Sequence, residues 1–229
     1  MIQAMAEGIR VVHHPIVAHR LSQLRARDTE PDRFRFLMGE LTTFLAYEAL
    51  SHLATRTREV LTPVGRAVGE EISEQLLVVP ILRAGLGMVQ GVQRVAPSCD
   101  VAHLGLKRDE STLTAVCYLD GLPADLTGRL VVICDPMLAT GGSLIQACRL
   151  VKERGASQIL ALCLLASAPG FARFSEELPD VPVVCAALDQ ELDERGYILP
   201  GLGDAGDRLF GPPGEGLSLK ARSPMGGPT

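Results

Sequence analysis

Five short apolar runs rich in Val, Ile and Leu, at residues 76–82, 101–106, 130–134, 159–165 and 181–188, constrain this fold most. They lack the polar residue at every second position that marks a strand with one wet face, so they read as strands covered on both sides. Between them, residues 86–95, 143–154 and 171–178 show helical spacing. Buried strands alternating with helices predict an α/β fold, an open and mostly parallel sheet flanked by helices. Ligands of such sheets lie beyond the carboxyl ends of the strands, so the loops there are the place to look for chemistry.

Other segments read differently. Within residues 33–55, Phe34, Leu37, Met38, Leu41, Phe44 and Leu45 recur at helical spacings, with Asp32 as the expected N-cap. Residues 1–60 are therefore read as the N-terminal helical part of a single domain spanning 1–211. Residues 107–123 are long and polar, either a mobile arm or a β-hairpin excursion. Residues 212–229 contain four Pro, four Gly and two Ser and are expected to be a disordered tail.

Charge and composition narrow the partners. Lys plus Arg total 22 against 27 for Asp plus Glu, a net charge of −5, with 4% aromatics and no Trp. That argues against both the basic face and the stacking platform of a nucleic-acid binder. The six cysteines include no C-x-x-C pair, and Cys134, Cys163 and Cys185 lie in apolar runs, so buried reduced thiols and a cytoplasmic location are expected. The N-terminus lacks a signal-peptide pattern, and no apolar run approaches the ~18 residues of a membrane span.

The strongest local signal follows the run at 130–134. The strand ends at an acid, Asp135, and Pro136, Met137, Leu138, Ala139, Thr140, Gly141, Gly142 and Ser143 lead into a helix. Glycines let successive N–H groups converge, and a helix start adds donors and the positive dipole end, together a monophosphate cradle without lysine. Ser143 with Gln146 fits a capping box, and Leu144, Ala147, Cys148 and Val151 form an apolar stripe. Thr-Gly-Gly-Ser alone would serve equally as an ordinary strand-to-helix turn. An acid at the strand end could also accept hydrogen bonds from vicinal hydroxyls, and the combination points to a sugar phosphate.

Residues 135–143 resemble the phosphoribosyl-pyrophosphate (PRPP) loop of uracil phosphoribosyltransferases, in the type I phosphoribosyltransferase superfamily. Most of that superfamily has two adjacent acids here; Asp135-Pro136 keeps one, as the uracil enzymes do. The resemblance makes Asp135 to Ser143 ligands of the ribose 5-phosphate. Residues 79–88, with Arg83 before Ala84-Gly85, are similar to the family's pyrophosphate loop, where strained backbone is expected. Residues 105–113 resemble its flexible arm, whose arginine matches Arg108, although Lys107 stands where members commonly have Tyr. Residues 197–208 resemble the base-binding hood, in which groups near Ile198, Gly203, Asp204 and Ala205 read uracil and Asp204 lies near PRPP and the reacting centre.

The resemblance implies the reaction of uracil with PRPP to UMP and diphosphate. Arg83, Arg108 and Asp204 are its expected catalytic residues, and Mg²⁺ arrives as Mg-PRPP without a protein metal site. It brings GTP as a possible effector and a homodimer or larger homo-oligomer. The alternatives are a phosphoribosyltransferase for another nucleobase and a non-catalytic, RNA-binding relative.

Overall fold

The computed structural model describes residues 8–108 and 115–212. The tip of the expected arm and the tail from residue 213 onward lie outside the described residues. In chain order, β1 (Ile9–Val11) leads into α1 (Pro15–Arg25) and α2 (Pro31–Ala49), then β2 (Thr55–Thr62) and β3 (Gly65–Ile72). Next come β4 (Gln75–Leu82), α3 (Leu86–Val95), β5 (Asp100–Val101), β6 (Leu104–Arg108), β7 (Ala115–Asp120), β8 (Arg129–Cys134) and β9 (Met137–Leu138). They are followed by α4 (Gly142–Glu153), β10 (Gln158–Leu162), β11 (Leu165–Ser167), α5 (Ala168–Glu177) and β12 (Val183–Cys185). The last elements are β13 (Ala187–Asp189), β14 (Glu191–Leu192), β15 (Ile198–Leu199) and α6 (Ala205–Phe210).

The main sheet runs β1-β12-β10-β8-β4-β6-β7, with β5 also paired to β4, and every pair except β6 with β7 is parallel. Its strands divide their apolar residues between two cores, as a period of two requires. Leu76 and Val78 of β4, Leu130 and Val132 of β8, and Leu160 and Leu162 of β10 face a core closed by α1, α2 and α3. Leu77 and Val79, Val131 and Ile133, and Ile159 and Ala161 face the other, closed by α4 and α5. Both faces are covered, which is why the runs lack polar alternation.

Tertiary pairing redraws several expected elements. The runs at 159–165 and 181–188 each break in two, because β11 and β13 leave the main sheet for a second parallel sheet, in which β11 pairs with β13 on one side and β9 on the other. Pro136 stabilises the break, its carbonyl accepting from the amides of Leu164 and Leu165 at 3.0 Å each. The excursion at 107–123 has a hairpin stem, β6 antiparallel to β7. Residues 1–60 hold α1 and α2 but also β1 and most of β2, so that part is not purely helical. The β2–β3 hairpin escapes periodicity because nearly all of it is exposed; paired charges such as Arg66–Glu59 and Arg56–Glu71 line it.

Helix α2 starts earlier than expected. Pro31 occupies its first turn and Glu30 its N-cap, so Asp32 lies inside the helix rather than capping it. Phe34, Leu37, Met38, Leu41 and Leu45 are buried as their spacing predicts, whereas Phe44 faces outward. Cys134, Cys148, Cys163 and Cys185 are buried thiols. Among the described residues, no helix is long and apolar enough to cross a membrane.

Candidate functional site

The site is built where β8 ends. The Asp135 amide donates to the Leu162 carbonyl at 3.2 Å, which ties the strand end to β10, and Asp135 Oδ1 accepts from the Met137 amide at 3.2 Å. Burial pushes its carboxyl up to about 6, while the Met137 N–H pulls in the opposite direction.

Helix α4 opens at Gly142, with Gly141 as its N-cap in the left-handed region at φ 81°. Ser143 is thus the second helical residue, and the expected capping box with Gln146 does not form. Gly141 has no side chain with which to cap this end, so the first turn of α4 can present its amide donors to an anion. The stripe of Leu144, Ala147, Cys148 and Val151 is buried as predicted. A cleft of about 120 Å³ lies over this turn, lined by Asp135, Met137, Leu138, Ala139, Thr140, Gly141, Gly142, Ser143 and Leu144.

Beside it lies a second cleft of about 210 Å³, lined by Ala84, Asp135, Met137 and Ala139 and otherwise by residues 196–206, among them Ile198, Gly203, Asp204 and Ala205. Asp135, Met137 and Ala139 line both clefts. A ligand with its phosphate in the first and a flat ring in the second would carry its sugar across Asp135. Asp204 caps α6, its Oδ1 accepting from the Asp207 amide at 2.8 Å.

The loop after β4 closes the rim. Its Leu82–Arg83 peptide is cis. Gly85 presses on the end of β8, where a Cβ would stand 2.3 Å from the Cys134 carbonyl oxygen, so only glycine brings the two loops this close. Arg83 is exposed and pairs with Asp207 at 3.2 Å.

The structure therefore brings together most of the expected residues, while Arg83 lines neither cleft and stands at the rim. Pro136 lines neither cleft; it is buried and bonded to the second sheet. Arg108 ends β6, and its side chain lies outside the described residues. Sequence reasoning missed the support beneath the loop at 135–143. Ser167 Oγ donates to the Ala139 carbonyl at 2.6 Å and accepts from the Gly170 amide at 2.9 Å. Ser167-Ala168-Pro169 signals a helix start, but nothing local announces that its hydroxyl also reaches residue 139.

A mostly parallel sheet covered by helices, with a glycine-rich loop after one strand and a second cleft beside it, is a phosphoribosyltransferase-like architecture. The structure of the AQ2163 protein from Aquifex aeolicus superposes with a TM-score of 0.85 at 38% identity, covering 89% of this chain and 98% of that one. The family model described as uracil phosphoribosyltransferase matches residues 11–212. A uracil phosphoribosyltransferase from Paenarthrobacter aurescens is 50% identical over 204 residues, 88% of this chain and 97% of the relative. Another, from Nocardioides sp., is 52% identical over 206 residues, covering 88% and 97%. The chain belongs to the uracil phosphoribosyltransferase family.

Proposed function

We propose that this chain joins uracil to the ribose 5-phosphate of PRPP, releasing diphosphate and forming UMP. The observation that carries the reading is the wall shared by the two clefts, Asp135, Met137 and Ala139, which fits a sugar bridging a phosphate and a base. In this reaction the base nitrogen bonds to the anomeric carbon as the carbon–oxygen bond to diphosphate breaks, and the nitrogen gives up its proton. Positive charge builds on the sugar and negative charge on the leaving group, so positioning and electrostatics do most of the work.

In this reading the first turn of α4 holds the 5-phosphate and Asp135 accepts from the ribose hydroxyls. Arg83 and Arg108 face the diphosphate. The loop from Ile198 to Ala205 reads the base through main-chain groups, and Asp204 stands beside the reacting centre. Residues 1–211 act as one domain. In this reading the cation enters on the substrate and keeps waters of its own. Mg-PRPP is then the substrate form, with the metal sharing the diphosphate charge.

Two further features belong to this reading. A cleft of about 440 Å³ between α2, α3 and α6 counts Arg35, Arg94, Phe36 and Phe210 among its lining residues, a set of cationic and aromatic groups that suits GTP as an effector. The β2–β3 hairpin exposes Leu61, Val64 and Val68 almost fully, a surface for a second copy in a homo-oligomer. Cytoplasmic location agrees with the free cysteines.

The test is pyrophosphate release dependent on both uracil and PRPP, with adenine, hypoxanthine and orotate as competing bases. Release with uracil alone among them supports the reading, and no release with uracil sinks it. Adding GTP to the assay and measuring sedimentation test the effector and the oligomer.

A further inference from the structure

The main-chain groups proposed to read the base belong to a loop anchored on its inner side by the buried Ile198, Leu202 and Ala205. Two guanidinium groups meet it from behind. Arg25, the last residue of α1, forms a two-pronged pair with Asp189 at the end of β13, with Nη1 to Oδ2 and Nη2 to Oδ1 both 2.7 Å. The same Nη1 donates to the Gly201 carbonyl at 2.8 Å, and the Gly201 amide donates to Asp189 Oδ2 at 3.1 Å. Both main-chain polar groups of Gly201 thus end on one ion pair.

The next residue is held to the same place. Arg208 donates to the Leu202 carbonyl at 3.0 Å and to the carbonyls of Leu24 and Ala26 at 2.8 and 2.6 Å. Its guanidinium lies over the Phe34 ring, 4.3 Å from the centroid. Gly201 and Leu202 are therefore pinned to the carboxyl end of α1, between Ile198 and Gly203 on the cleft wall. Neither Arg25 nor Asp189 lines either cleft.

We infer that Arg25 and Asp189 are positioning residues for base recognition, holding the base-reading loop in register before any ligand arrives; this rests on the function proposed above. Hydrogen bonds from a main chain discriminate only when its atoms are placed to a fraction of an ångström. A bidentate arginine–carboxylate pair fixes angle as well as distance, which a lysine cannot do. Asp189 is nearly buried, and its second partner at Gly201 supplies the further bond a buried carboxylate needs.

The experiment compares the wild-type full chain with Arg25→Lys and Asp189→Asn in steady-state kinetics, varying uracil and PRPP in turn. The KM for uracil rises about tenfold in each variant, as loss of one positioned bond implies, while the KM for PRPP stays within about twofold. Equal rises in both, or an unchanged uracil KM in a folded variant, overturn the inference. Amide hydrogen exchange of wild-type Gly201 needs no variant: slow exchange without ligand supports prior positioning, and fast exchange that slows only with UMP overturns it. A wild-type chain that makes no UMP would instead sink the proposed function, and the exchange result would still stand apart from it.

Discussion

Arg83 and Asp207 meet at 3.2 Å across 124 positions of sequence, joining the loop after β4 to the first turn of α6. Both side chains are more than 40% exposed. Such a pair contributes at most about 1 kcal/mol to stability. Its importance lies in where it stands: the guanidinium proposed to meet diphosphate is already engaged by a carboxylate.

If Arg83 meets the diphosphate as proposed, substrate competes with Asp207 for it. Arg83→Ala should raise the KM for PRPP by about tenfold or more, as loss of a charge-assisted pair predicts. Asp207→Asn should lower that KM by about twofold to fivefold, since a competing negative charge is gone. Steady-state kinetics at fixed ionic strength decide it, and a raised KM in Asp207→Asn would show the carboxylate assisting binding.

Asp135 makes the protein's stability depend on pH in an identifiable direction. Its folded pKa, about 6, lies above the unfolded value of about 3.9. The folded state holds the proton more tightly, so this group's contribution is fully present below about pH 4 and is lost as pH rises through about 6. Asp135→Asn cannot titrate, so its stability relative to wild type should rise between pH 4.5 and 7.5, read from urea midpoints at the two values. A constant difference would mean the carboxyl is not raised. The variant should also lose PRPP affinity.

Gly170 tests the support under the loop proposed to hold phosphate. A Cβ there would lie 1.8 Å from the Ala139 carbonyl oxygen, whereas one at Gly65 would meet nothing within 4 Å. Gly170→Ala should cost about 2–4 kcal/mol and weaken PRPP binding, because rigid backbone must move. Gly65→Ala should stay within about 0.5 kcal/mol of wild type. Thermal melts and PRPP titration of both variants check this, and equal melting temperatures would remove the clash.

Chelation separates a substrate-borne metal from a structural one. EDTA should stop turnover and leave the melting temperature unchanged, because the proposed magnesium is carried by PRPP. A fall in melting temperature on chelation would point to a metal held by the fold.

Much of this arrangement was legible along the chain. The strand at 130–134, Asp135 at its end and the glycines before α4 are local features, set by neighbours a few residues away. Helix α3 occupies 86–95, as its spacing predicts. The β2–β3 hairpin stayed hidden because its apolar residues face solvent and carry no burial period. The split of the run at 159–165 stayed hidden for another reason: Pro136, far away in sequence, takes the amides at the break.

What the sequence by itself determined is the order of buried strands and helices, and the loop chemistry at their ends, because hydrophobic period and turn residues act over short range. What only the tertiary structure decided is which groups share a site. The Arg25–Asp189 pair spans 164 positions, and the second cleft forms only when the loop after β8 and residues 196–206 are brought side by side. Contacts of that span leave no periodic trace in the chain, since their partners are chosen by packing.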